Sequence, residues 1–118
     1  MADITTAQVK ARLRLVRNGI AIYDEIFNSG KDDFTESSYQ RVVLATSSGV
    51  QVVNLDGVTS GTKLLIVTDR EIKVAVNNSA WLVPVTSVLA MTSSGITGLW
   101  VENENADFQA TVTIAVTD

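Results

Sequence analysis

The apolar residues Val9, Leu13, Val16, Ile20, Tyr23 and Phe27 are spaced by 4, 3, 4, 3 and 4 positions, the repeat of one stripe along an α-helix. Thr5 followed by Gln8 fits a capping box, in which the hydroxyl accepts from a free N–H and the amide side chain reaches back. Asn28-Ser29-Gly30 supplies a C-terminal stop. The spacing therefore predicts an amphipathic helix over residues 6–27, with Gly19 marking a close contact. Lys10, Arg14 and Arg17 fall together on its solvated side. Leu15, Ile22 and Ile26 widen the stripe beyond a coiled-coil seam. The helix is thus expected to pack on its own or a neighbouring β-domain, with packing around a symmetry axis as the alternative.

Beyond a polar linker at residues 31–38 the period changes. Strand-like runs at residues 41–45, 50–55, 63–68, 71–76, 81–91, 96–102 and 108–117 are separated by Gly, Asn, Asp and Ser turns. Seven short runs at this spacing predict an antiparallel sandwich or barrel. In the last run Phe108, Ala110, Val112, Ile114 and Val116 alternate with Gln109, Thr111, Thr113 and Thr117, which separates a core face from a polar one. Val42-Val43-Leu44-Ala45 and Leu64-Leu65-Ile66-Val67 are instead apolar on both faces. Such strands call for cover on both sides, from the helix or from another subunit. Pro84 cannot donate to a ladder and belongs at an edge or a bend.

Charge and composition sharpen the division. Residues 1–41 hold six cations (Lys10, Arg12, Arg14, Arg17, Lys31, Arg41) and six anions, whereas residues 42–118 hold three cations against seven anions, so the net charge of −4 resides there. The second stretch also has 15 Val and 10 Thr, types that suit a pleated surface. A helix and linker over 1–41 cannot hold a core alone, so the chain is expected to form one compact unit with the sandwich at 42–118.

The chain has no Cys and no His, which removes thiolate and imidazole catalysis and the usual Cys/His zinc sites. No catalytic residue, cofactor or metal is expected. A pI near 4.6 argues against duplex nucleic acid as a partner. Phe34 and Tyr39 lie between Lys31 and Arg41, but Asp32, Asp33 and Glu36 there oppose phosphate. The N-terminus lacks the pattern of a secretory signal, and no apolar run is long enough to span a bilayer, so synthesis in the cytoplasm with no membrane partner is expected.

The remaining candidate chemistry is sparse. Asp69 and Glu71, with Asp107, would serve as acid and base only if they converged in one cleft. Glu102-Asn103-Glu104-Asn105-Ala106-Asp107 is rich in oxygen ligands but lacks EF-hand spacing, and reads more simply as a hairpin turn. Gly95-Ile96-Thr97-Gly98 has too few glycines for a phosphate cradle. Trp100 reads as core, while Trp81, after Asn77-Asn78-Ser79-Ala80, is the candidate exposed contact for a sugar ring or an interface.

The runs 55–58, 64–69 and 72–77, followed by Ile96-Thr97-Gly98-Leu99-Trp100-Val101-Glu102-Asn103 and the closing 110–116 strand, resemble small jelly-roll virion proteins of tailed bacteriophages. The likeness covers residues 42–118. It implies an antiparallel jelly-roll-like sandwich of seven to eight strands, which with the N-terminal amphipathic helix expected from the spacing makes a mainly β chain. It also implies a virion location and a decoration (cement) role on the capsid, the alternatives being a neck, tail or head-fibre component. The implied partners are further copies, a trimer foremost, and the major capsid or another virion protein. A carbohydrate-binding sandwich module is the reading from another class. Under the virion reading Val9, Leu13, Val16, Ile20, Tyr23 and Phe27 form an interface stripe.

Overall fold

The computed structural model describes residues 6–8, 10–28, 32–33, 36–55 and 57–118. Among them there is no helix. The chain is built from antiparallel strands: β1 (Thr6–Ala7), β2 (Lys10–Arg17), β3 (Ile20–Asn28), β4 (Asp32–Asp33), β5 (Ser37–Leu44), β6 (Gly49–Val52), β7 (Gly61–Thr68), β8 (Ile72–Val76), β9 (Val83–Val85), β10 (Val88–Ile96), β11 (Leu99–Asn103) and β12 (Ala110–Thr117).

The expected helix over residues 6–27 is a β-hairpin. β2 pairs with β3 from Lys10↔Asn28 to Arg17↔Ile20, and the two-residue connection is Asn18-Gly19 with φ of 52° and 78°. Both angles lie in the left-handed region, the geometry of the type I′ turn whose twist matches the strands it joins. Asn-Gly is the strongest short signal for that turn, whereas inside a helix both residues are unfavourable. Arg12, through Nε and Nη2, donates to the two carboxylate oxygens of Asp24 on the facing strand at 2.8 and 2.6 Å. Ile22 is the extra residue where the register shifts between Leu15 and Val16, a local bulge. Val9, Thr5, Ser29 and Gly30, which the helical reading used as stripe and caps, lie outside the described residues.

Residues 37–117 fold as two four-stranded sheets, ordered β10-β7-β12-β5 and β6-β11-β8-β9. The side chains between the sheets form one core, with Leu44, Leu64, Ile66, Leu99, Val112 and Ile114 at 0% exposure. Period-two alternation builds it: in β12 every second residue from Ala110 to Val116 is buried. β9, which contains Pro84, is an edge strand of the second sheet, where a missing N–H costs no ladder bond.

Three local expectations change. Phe108 precedes the last strand and is exposed, with the Arg70 guanidinium 4.0 Å above its ring centroid, a cation–π contact. Residues 92–95 do not form a turn but continue β10, whose pairing to β7 is irregular between Thr92 and Ile96. Trp81 lies ahead of β9 rather than within a strand.

Candidate interaction face

The outer face of the β10-β7-β12-β5 sheet is where the doubly apolar strands lead. In β7, Leu64 and Ile66 point into the core, while Leu65 and Val67 on the opposite side are 39% and 43% exposed. In β5, Leu44 is buried and Val43 exposed. The register assembles these outward positions into rows. One row runs Arg41, Thr113, Val67, Val88, and the next runs Tyr39, Ala115, Leu65, Ala90. Tyr39 is 76% exposed and Val88 more than half exposed. The result is an apolar patch shared by all four strands, interrupted by the β12 threonines and Arg41 and bounded by the row Ser37, Thr117, Lys63, Thr92, in which Lys63 is 7% exposed. A solvated sheet face ordinarily alternates to polar residues, which makes this face the candidate for a contact surface.

Tyr39 and Val88 were absent from the sequence-derived interface. The first strand of the sandwich, β5, starts at Ser37 rather than at Arg41, and only the cross-strand register joins its early residues to Leu65.

The stripe residues assemble differently from a helical face. Val16 and Ile20 flank the hairpin turn and are exposed, Ile20 at 69%. Leu13, Tyr23 and Phe27 pair in register with Glu25, Leu15 and Ala11. In this alternation Leu13, Ile20, Tyr23 and Phe27 hold positions on one face of the hairpin and Val16 holds one on the other. Val9 lies outside the described residues.

Trp81 is 72% exposed on a turn organised by Asn78, whose carbonyl accepts from the Trp81 N–H at 3.1 Å and whose Oδ1 accepts from the Ala80 N–H at 3.0 Å. Trp100 is half-buried in β11, with its ring against Gly98.

A groove of about 450 Å³ lies beside the β7–β8 turn, lined by Asp69, Arg70, Glu71, Ile72, Lys73, Thr86, Glu104 and Asn105. It brings Asp69 and Glu71 together, but Asp107 is not part of its lining. Asp69 Oδ1 accepts from the Thr111 N–H at 2.8 Å, tying the turn to β12. Lys73 Nζ donates to Glu104 Oε1 at 2.9 Å. That bond, joined by one from Glu102, holds the Glu104 carboxyl below the usual range, and the hydrogen bond to Glu104 pushes Glu102 upward.

The oxygen-rich 102–107 segment is occupied by its own backbone. Asn103 Oδ1 accepts from the Asn105 N–H, and Asn105 Oδ1 accepts from the Asp107 and Phe108 N–H groups. These are Asx-type turn bonds, which spend the amide oxygens a cation would need. Among the described residues no group of three or more acidic side chains is placed to hold a metal ion.

Comparison of the chain with family models, curated proteins and solved structures finds no match.

Proposed function

We propose that this chain is a structural protein that works by self-association, with a jelly-roll sandwich, and that its role is that of a phage capsid decoration protein made in the host cytoplasm and carried on the virion. The observation that carries this reading is the apolar outer face through Tyr39, Val43, Leu65, Val67 and Val88. Covering a contiguous apolar face of that kind with another surface is favourable in water, and flat sheet faces suit extended protein contacts better than small ligands.

The strand pairing supports the jelly-roll assignment. β5 pairs with β12, β6 with β11, β7 with β10 and β8 with β9, the nested order of one long hairpin rolled across two sheets. A decoration protein acts by mass action: binding only the assembled lattice lowers its free energy relative to ruptured shells.

The test is sedimentation of the purified protein, followed by co-sedimentation with purified expanded phage capsids. The expected results are a homo-oligomer, a trimer foremost, and saturable binding that raises the temperature of shell rupture. A monomer at high concentration with no capsid binding overturns the reading. An oligomer that binds virions only at the neck or tail, seen by electron microscopy, moves it to the accessory alternative.

Trp81 favours one second reading, a carbohydrate-binding module, because an indole exposed on a rigid turn is the usual platform for a sugar ring. Silence on a glycan array removes it.

A further inference from the structure

We infer that the β2–β3 hairpin is an exchange arm, which lays its apolar face on the outer face of the β10-β7-β12-β5 sheet of a second copy of this chain. The inference deepens the self-association reading and rests on it, since it names the two surfaces that meet.

Four observations carry it. Among the described residues β2 and β3 pair only with each other, and an isolated two-stranded hairpin is marginally stable in water until one face is packed. The hairpin is amphipathic by register. Leu13, Leu15, Ile20, Tyr23 and Phe27 hold positions on one face together with Arg17 and Glu25, while Lys10, Arg12, Arg14 and Asp24 hold positions on the other with Val16 and Ile26, as alternation requires.

Secondly, the donor and acceptor match in length. The arm strands are 8 and 9 residues long, and β5, β7, β12 and β10 are 8, 8, 8 and 9. Two flat pleated layers of equal length can stack face to face along their whole extent.

Thirdly, among the described residues the two surfaces stay open within one chain. Leu15 and Ile20 on the arm and Tyr39, Val67 and Val88 on the sheet are all exposed in the same molecule. The radius of gyration is 16.0 Å, against about 13.5 Å for a compact chain of this length.

The fourth argument is area. A hairpin face about 28 Å long and ~10 Å wide covers roughly 280 Å², so one dock removes about 550 Å² of surface counted on both sides. Specific interfaces need about 1,000–1,200 Å². One dock is too small, but a closed exchange in which every copy gives one arm and receives another holds each subunit by two, about 1,100 Å². A reciprocal pair and a head-to-tail ring of three both satisfy this.

The test uses full-length Ile20→Asp, which spoils the arm, and Val67→Asp, which spoils the acceptor, with Val88→Asp as a second acceptor variant. Both acceptor positions face solvent in the monomer, so circular dichroism and melting are expected to match the parent. Sedimentation velocity is expected to show self-association weakened about 30-fold or more in each variant, because each dock would bury an unpaired carboxylate. An equimolar mixture of I20D and V67D is expected to stay weakened, because its pairs hold only one intact dock, the arm of V67D on the sheet of I20D, and one dock is too small. A mixture that associates as tightly as the parent overturns the inference, as does a pair of variants that assemble like the parent. In the latter case the protein still self-associates, and the assembly reading survives without the arm. A parent chain that is monomeric, with the arm folded onto its own sheet by cross-linking within one molecule, overturns both.

Discussion

The side-chain amide of Asn103, wholly buried at the end of β11, donates to the Ala45 carbonyl at 3.1 Å. The same nitrogen reaches the Phe108 carbonyl at 3.0 Å and the Leu44 carbonyl at 3.4 Å, and Oδ1 accepts from the Asn105 N–H at 3.1 Å. One side chain thereby joins the end of β5, which belongs to the first sheet, to the loop after β11, which belongs to the second. Buried carbonyls without donors are expensive, and no water is needed where Asn103 supplies the protons.

Asn103→Leu is therefore expected to destabilise the sandwich by about 2–3 kcal/mol, the cost of leaving buried acceptors unsatisfied. Urea unfolding followed by tryptophan fluorescence measures it. A loss under about 0.5 kcal/mol would mean that the amide is not the tie it looks to be.

Gly61 opens β7 against the last strand. A Cβ there would lie 2.6 Å from Val116 Cγ1 and 3.4 Å from Ile96 Cβ. Gly61→Ala is expected to cost about 1–3 kcal/mol through overpacking, although alanine is otherwise the better residue in a strand. The midpoint in urea should fall with an unchanged slope.

Gly19 separates the hairpin from the helix expected on periodicity. At φ +78° with open space around it, Gly19→Ala is strained by about 1–2 kcal/mol in the turn. In a helix the same change would add about 1 kcal/mol of stability. Hydrogen exchange should show β2 and β3 losing protection in the variant while β7 and β12 keep theirs. Increased protection and a helical circular dichroism signal would contradict the hairpin.

Acid titration should reveal the Glu102–Glu104 pair. The hydrogen bond to Glu104 raises Glu102 above its ordinary range, so the neutral form of Glu102 favours the fold. That contribution is full at low pH and is lost as pH rises through the raised value. Glu102→Gln keeps the neutral donor at every pH. It is expected to melt higher than the parent near pH 7 and to match it near pH 3. A difference independent of pH would exclude ionisation of Glu102 as its cause.

Much of the sandwich could be read from residue order alone. Alternation in residues 110–117 and 72–76 marks which side chains enter the core, and Gly, Asn and Asp punctuate the runs, because side-chain direction in a strand has a strict period of two. The doubly apolar 42–45 and 64–67 segments likewise place apolar residues on both sides of the first sheet, with Leu44, Leu64 and Ile66 buried and Val43, Leu65 and Val67 exposed. The N-terminal stretch was misleading because Leu13, Ile20, Tyr23 and Phe27 satisfy two periods at once. Their spacing fits a helical stripe, and folding back at Asn18-Gly19 places the same four on one hairpin face. Periodicity within a segment cannot choose between these; the positive φ preference of the turn dipeptide does. What tertiary structure alone decided is the make-up of the apolar outer face. Tyr39, Leu65 and Val88 are far apart along the chain, and they become neighbours only because the hydrogen-bond register of four strands, a long-range property, lines them up across the sheet.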